Sequence, residues 1–497
     1  MDYYTHVLGL TFGLSFLYTL AKIVYNRGSK RLPPGPTPWP IIGNLHLLGA
    51  KPHVSLANLA KMYGPIMSLK LGQITTVVIS SSSIAKQVLK NQDQAFSTRF
   101  IPNAIKAHNH YQFSVAWLPV SPQWRTLRRI LNTNIFSSNR IDANQHVRSQ
   151  KVKELIAYCA QCCQQGKVVD IGRAAFKTNL NLVSNTLFSK DLADPFSDSK
   201  VELKEVIWSI MAEAGKPNLV DFFPILEKID LQRIRQRSTI HFGKLFKLFD
   251  GLINERLEEN KRVHSERNDV LEAFLNIIEE NPKEIDHNYI KSMFVDLFGA
   301  GTDTTTSTLE WAMAEILKEP EIMKKAQVEL AEIVEKGKVI EEADVSQLPY
   351  LQCIIKETLR MHPPVPFLIP RKVELDVELC DYIIPKGSQV LVNVWLIGRD
   401  STSWIDPLVF KPERFLNSDL NMQGKDFELI PFGAGRRICP GLPLALRMVP
   451  TMLGSLLNSF NWKLEEDIST PKDLDMEEKF GITLAKAHPL RAIPSPL

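Results

Sequence analysis

Apolar residues recur at helical spacing at Ile290, Met293, Phe294, Leu297 and Phe298. The same rhythm resumes at Leu309, Ala312, Met313 and Ile316. Between them lies Gly299-Ala300-Gly301-Thr302-Asp303-Thr304-Thr305-Thr306. Two glycines and a run of hydroxyls make a poor helix interior. The pattern predicts a long helix with a weak polar middle, where a small ligand displaces a backbone hydrogen bond. The competing reading is a hydroxyl run bonded back to its own carbonyls. An alternating pattern over residues 66–71 and 74–79 flanks Gly72-Gln73 and predicts a hairpin. Residues 378–381 and 389–393, around Pro385-Lys386-Gly387, predict a second. Residues 442–453 read as an apolar helix. Helical periodicity dominates elsewhere, so the expected fold is mainly α with small β-sheets (α+β).

Near the start, residues 7–21 are almost entirely apolar, about long enough to cross a bilayer. Lys22, Arg27, Lys30 and Arg31 follow this stretch and Asp2 precedes it, an asymmetry that leaves the rest of the chain in the cytosol. Prolines 33, 34, 36, 38 and 40 then stiffen the link. The expected organisation is a transmembrane anchor over residues 1–25, a basic and proline-rich linker over 26–40, and one large domain over 41–497. No repeat or flexible linker divides the remainder.

The 497 residues are 44% hydrophobic and include 31 prolines, which suits a large core with many turns. A net charge of +4 shows no concentrated basic stripe and does not suggest a nucleic-acid binder. The six cysteines lack paired zinc spacings and fit a reducing compartment.

The densest chemistry lies in residues 432–441, Phe-Gly-Ala-Gly-Arg-Arg-Ile-Cys-Pro-Gly. Glycines let this loop approach a flat partner closely. Backbone N–H groups and Arg437 can supply the donors and positive charge that keep the Cys439 thiolate ionised. Trp124 and Arg128 stand one helical turn apart, an indole N–H and a guanidinium suited to one carboxylate. By themselves they read more readily as an ordinary basic helix. Glu357 and Arg360, at i and i+3 in a mixed apolar run, read as an ion pair whose burial is plausible.

The loop matches Phe-x-x-Gly-x-Arg-x-Cys-x-Gly at every fixed position and resembles the cytochrome P-450 (haem-thiolate monooxygenase) family. Trp-x-x-x-Arg at 124–128, Ala-Gly-x-Asp-Thr-Thr at 300–305, Glu-x-x-Arg at 357–360 and Pro-Glu-Arg-Phe at 412–415 extend the resemblance. It implies a haem b held by Cys439 as axial iron ligand. Phe432, Trp124, Arg128, Arg371 and Arg437 would serve as further cofactor contacts. It implies proton delivery by Thr304 and Asp303, and a structural network of Glu357, Arg360 and Arg414. Thiolate ligation favours O–O cleavage, and proton delivery is a physical requirement of that cleavage. Electrons would come from NADPH through a reductase, with Arg125, Arg129 and Lys411 as docking candidates. The resemblance also places the chain, single-pass, in the endoplasmic reticulum membrane.

By the same resemblance the pocket is lined by Ile101, Ile105, Phe113, Leu297, Phe298, Ala300, Val365, Phe367, Leu368, Phe480 and Ile482. Read alone, these positions show only that they are apolar. No acid or base stands out for a charged substrate, so a small, mostly hydrocarbon molecule is expected. Phrases at 64–71, 214–223 and 479–483 resemble the plant geraniol 8-hydroxylases. That implies hydroxylation of a monoterpenol such as geraniol or nerol at its terminal allylic methyl carbon. Another terpenoid or a small aromatic is the alternative substrate. A haem-thiolate isomerase or dehydratase, or a non-catalytic haem sensor, are further alternatives.

Overall fold

The computed structural model describes residues 6, 7, 9–11, 13–18, 32–196, 201–262, 269–280, 282, 284–465, 468 and 470–497. The charges Lys22, Arg27, Lys30 and Arg31, and most of the expected anchor, lie outside them. Among the described residues no helix is long and apolar enough to cross a membrane.

Helices dominate and the sheets are small, as the sequence pattern predicts. The helices that position the site are α1 (Pro122–Asn134), α2 (Ile171–Phe188), α3 (Val201–Gly215), α4 (Ile234–Arg262), α5 (His287–Lys318), α6 (Pro349–Met361) and α7 (Leu442–Ser459). Their starts follow from local chemistry. Ser121 accepts the Trp124 N–H at 3.2 Å and Pro122 opens α1. Asp286 accepts the N–H groups of Asn288 (2.8 Å) and Tyr289 (3.2 Å) to open α5. Pro320 follows the end of α5.

α5 runs unbroken for 32 residues, about 48 Å. Glycine and threonine in its middle do not interrupt it, because tertiary packing overrides a weak propensity. α2 lies along it, so α5 is sandwiched between two apolar cores. One core gathers α2, α5, α6 and α7 around the fully buried Trp311. The other is rich in phenylalanine: Phe294 meets Phe188 at 4.8 Å and Phe249 at 5.5 Å between ring centroids.

Strands β1 (Ile66–Leu71) and β2 (Ile74–Ile79) form the first expected hairpin, turning at Gly72 with φ +56°. They begin a five-stranded sheet that continues with β3 (Thr98–Arg99), β4 (Arg371–Lys372) and a later strand, β7. The second expected hairpin is corrected. β5 (Val377–Leu379) turns back at once onto β6 (Tyr382–Ile384) through Cys380 and Asp381, both at positive φ. β7 (Gln389–Val392) instead joins the larger sheet, parallel to β2 and antiparallel to β4, giving the order β1-β2-β7-β4-β3.

Candidate active site

The loop before α7 is closed by the Cys439 N–H donating to the Phe432 carbonyl at 3.0 Å. Gly435 sits at φ +69°, and a Cβ there would stand 2.0 Å from the Leu89 carbonyl oxygen. Only glycine allows that approach. Leu89 belongs to a π-helical segment, Gln87–Asn91, which presents the carbonyl. Cys439 is thereby fixed at the threshold of α7. Burial pushes its thiol up. The Gly441 N–H, the Arg128 charge and the Leu442 N–H pull the other way. The cation acting on the sulfur is thus Arg128, where sequence reasoning chose Arg437. Arg437 turns aside to the carbonyls of Ser97 (3.1 Å), Val115 (3.3 Å) and Leu118.

Four arginines and Cys439 line one cavity of about 370 Å³. Arg128 donates to the Ile438 carbonyl at 2.7 Å, tying α1 to the cysteine loop. Arg371 donates one N–H to Phe96 O at 2.9 Å and keeps its Nε without a partner. The fourth, Arg99, was not singled out from the sequence; it donates to the carbonyls of Ala116 (3.2 Å) and Ile369 (2.9 Å). Trp124 lies under the Arg437 guanidinium at 4.7 Å and donates its N–H to the Val115 carbonyl, rather than to a carboxylate.

Among the described residues none of these four arginines makes an ion pair. Burial depresses Arg371 to about 10 and Arg437 to about 9, and lowers Arg99 and Arg128 as well. Buried cations held only by carbonyls require an anion. A flat group with two carboxylates at one edge and a thiolate-seeking metal at its centre answers that demand. The donor set therefore fits haem.

Of the expected lining, Ile105, Leu297, Ala300, Val365, Leu368 and Ile482 do face this cavity, as does Phe432. Ile101, Phe113, Phe298, Phe367 and Phe480 are not among its lining residues. Phe298 is spent in the aromatic core against Phe188 and Phe249. Phe367 packs on Phe480, which also stacks on His53 at 5.5 Å. Phe113 meets Tyr289 edge-on, and Ile101 packs beside the second core. Helices α2, α3 and α4 contribute residues the sequence did not flag, among them Val183, Met211 and Phe242. An acid and an imidazole, Asp296 and His110, also line the cavity.

Comparison with known proteins agrees with this geometry. Residues 33–488 match the family described as Cytochrome P-450. The chain is 66% identical to a geraniol 8-hydroxylase of Catharanthus roseus over 497 residues, covering 100% of both chains. It is 65% identical to a geraniol 8-hydroxylase of Swertia mussotii, over 98% of this chain and 99% of that one. A 7-ethoxycoumarin O-deethylase of Helianthus tuberosus is 58% identical over 94% and 95%.

The chain belongs to the cytochrome P-450 family. It is a haem-thiolate monooxygenase that draws electrons from NADPH through a reductase.

In this cytochrome P-450, Asp296, Ala300 and Thr304 recur every four residues along α5 and all line the cavity. The hydroxyl run is bonded back to its own helix: Thr304 Oγ1 donates to Ala300 O at 2.6 Å, Thr302 to Phe298 O at 2.5 Å and Thr308 to Thr304 O at 2.9 Å. The expected displaced hydrogen bond is not seen: the competing arrangement, a hydroxyl run bonded to its own carbonyls within a continuous helix, is the one present. Asp303 is not a cavity-lining residue. Burial raises its carboxyl, while Thr483 and Lys204 act in the opposite direction.

Outside the cavity lining, Glu357 and Arg360 are 0% and 1% exposed. Arg360 grips Glu357 with two bonds of 2.7 and 2.8 Å. Arg414 Nε adds a third at 2.9 Å, and the Lys411 N–H a fourth at 2.7 Å. Arg360 also donates to the carbonyls of Gly398 and Pro407. Sequence reasoning grouped Glu357, Arg360 and Arg414; the backbone partners emerge only in three dimensions.

Proposed function

We propose that this enzyme hydroxylates a monoterpenol, geraniol or nerol, at its terminal allylic methyl carbon, giving 8-hydroxygeraniol from geraniol. The observation that carries the substrate is end-to-end identity of 66% and 65% with two geraniol 8-hydroxylases. The largely apolar cavity supports it, since a small hydrocarbon alcohol needs few polar contacts. The overall change consumes the substrate, O2, NADPH and a proton, and yields the alcohol, water and NADP⁺.

In this reading Cys439 would ligate the haem iron. Arg128, Arg371 and Arg437 would hold the haem carboxylates, Trp124 would brace Arg437, and Phe432 would pack against the bound group. Haem, when bound, supplies the oxygen activation. The protein orients substrate, excludes water and rations protons. Thr304 Oγ1 is the proton donor facing the cavity, released from Ala300 when a ligand competes for its hydrogen. Asp303, kept protonated more readily by burial, resupplies it from behind the helix. The Glu357–Arg360–Arg414 network holds the chain beneath the loop.

Residues 1–25 anchor the chain in the endoplasmic reticulum membrane and residues 26–40 orient a cytosolic domain. The described residues of the anchor are helical and expose Leu10, Leu14, Phe16 and Leu17. The reductase docks against the exposed Arg125, Arg129 and Lys411. Incubating microsomes that contain the enzyme and a reductase with geraniol, nerol and NADPH tests this reading. Terminally hydroxylated product matched to O2 consumption is expected. No oxidation of any monoterpenol, by protein showing the red-displaced Soret band of reduced, CO-bound haem-thiolate, refutes the substrate.

A further inference from the structure

Asp296 lies on α5 in the cavity wall, and among the described residues its side chain is bonded only to the segment 110–116. The Ser114 hydroxyl, 0% exposed, lies 2.8 Å from Oδ1 and 2.7 Å from Oδ2. The Ala116 N–H reaches Oδ2 at 3.4 Å, and His110 Nε2 stands 3.1 Å from Oδ1. The two oxygens of the acid have lone pairs for all of these.

Ser114 in turn organises the residues that follow it. Its Oγ accepts the Ala116 N–H at 3.1 Å. Its carbonyl accepts the N–H groups of Trp117 at 3.3 Å and Leu118 at 2.9 Å. Residues 114–118 therefore form one tight turn, keyed to α5 through a buried hydroxyl.

The carbonyls of this turn hold the polar groups of the haem site. Val115 O accepts the Trp124 indole N–H at 3.0 Å and Arg437 Nη1 at 3.3 Å. Leu118 O accepts Arg437 Nη2, and Ala116 O accepts Arg99 Nε at 3.2 Å. The turn thus supplies two of the three carbonyls on Arg437 and one of the two on Arg99. Each Nη of Arg437 keeps a second hydrogen, and Arg99 Nη2 bonds to no described residue. A guanidinium is a rigid fork, so the bonds it has made fix where its remaining N–H groups point.

We infer that Asp296 is a positioning residue for the haem site: through Ser114 it sets the turn of residues 114–118, whose carbonyls aim Arg99 and Arg437 at the carboxylates of the cofactor. The inference rests on the reading that these arginines hold those carboxylates, and it adds what aims them.

The test measures how fast haem leaves the full-length, haem-loaded enzyme for an excess of a haem-scavenging apoglobin. Asp296→Ala and Ser114→Ala should each speed that loss at least about fivefold, the weight of one buried hydrogen bond. Asp296→Asn keeps an acceptor oxygen for Ser114 and should stay within about twofold of wild type. Arg437→Lys, whose ammonium cannot span the Val115 and Leu118 carbonyls and a carboxylate together, should also lose haem faster. In that background Asp296→Ala should add at most about twofold, because the two residues act in series. Equal increments with and without Arg437→Lys would assign Asp296 to general packing and overturn the inference. Wild-type loss rates for both Asp296→Ala and Ser114→Ala, beside rapid loss from Arg437→Lys, overturn the inference and leave the arginine reading standing. Wild-type retention by Arg437→Lys refutes that reading and the inference with it. Ser114→Ala removes only a hydroxyl, so its loss rate decides the matter if Asp296→Ala does not fold.

Discussion

Arg99 and Arg371 are paired residues on adjacent antiparallel strands, both buried, with no ion-pair partner for either among the described residues. Two like charges so placed, with Arg128 and Arg437 on the same cavity, make the haem-free pocket electrostatically unfavourable. The carboxylates of a bound haem would therefore act as a structural counter-charge as well as part of a cofactor.

The pH dependence of stability should report this. Arg437 and Arg371 are depressed in the empty pocket, to about 9 and about 10. The unfolded chain then binds more protons than the folded one as pH rises through those values. Haem-free protein should accordingly gain stability from about pH 9 upward. In haem-loaded protein the carboxylates hold the arginines charged and the gain shrinks. Denaturant midpoints of both forms at pH 8 and 10 check it; parallel shifts would count against the argument.

Gly435→Ala should disable haem loading. Its Cβ would lie 2.0 Å from the backbone oxygen of Leu89, at a φ of +69° that alanine resists. The loop must move, and Cys439 with it. The measurement is the fraction of purified chain showing the sulfur-type CO spectrum, expected to fall at least about tenfold, since misplacement by about 1 Å is costly at such sites.

Glu357→Gln should be among the most damaging substitutions outside the cavity lining. It leaves Arg360 and Arg414 without their carboxylate in a fully buried setting. Breaking a buried pair from one side costs about 3–5 kcal/mol. Thermal unfolding of the holoenzyme checks this, and a change under about 1 kcal/mol would contradict it.

Glu310 gives a prediction of opposite sign. Burial raises it to about 7, only partly offset by the Leu490 N–H it accepts at 2.8 Å. With the folded value above the unfolded one, stability falls as pH climbs from the ordinary glutamate range to about 7. Glu310→Gln should remove that slope, adding on the order of 2–3 kcal/mol at pH 8 and little at pH 4. Urea melts at the two pH values measure the difference.

Thr304→Ala should leave haem binding intact and uncouple NADPH oxidation from product. Its hydroxyl bonds only within α5, to Ala300, so truncation disturbs little packing. Product formed per NADPH should drop several-fold, roughly one order of magnitude if proton delivery has its usual weight. Unchanged coupling would remove Thr304 from proton delivery.

Much of this was legible in the chain because it is local. Helical spacing placed α5, Gly72 marked the turn between β1 and β2, and the residues around Cys439 carried their own glycines. The Glu357 network was partly legible because Glu357 and Arg360 share a helical turn. Where the reading failed, the missing term was long-range. The second hairpin was misplaced because Cys380 and Asp381, without glycine, take the left-handed turn. Phe298 and Phe113 were placed in the cavity by the resemblance alone, since their apolar character cannot distinguish a cavity wall from a packed contact elsewhere. Arg99 carried no local signal, since its partners, Ala116 and Ile369, are carbonyls 17 and 270 residues away.

By itself, then, the sequence determined the helices and the glycine-rich cysteine loop, because each depends on spacing within a few residues, and the motif in that loop carried the family resemblance that implied the chemistry class. The tertiary structure alone decided that four arginines share one cavity with no ion-pair partner among the described residues, that Arg128 and not Arg437 acts on the sulfur, and that His110 meets Asp296 across 186 residues of chain. Those outcomes depend on which surfaces are desolvated together, and burial is a property of the packed molecule rather than of any segment.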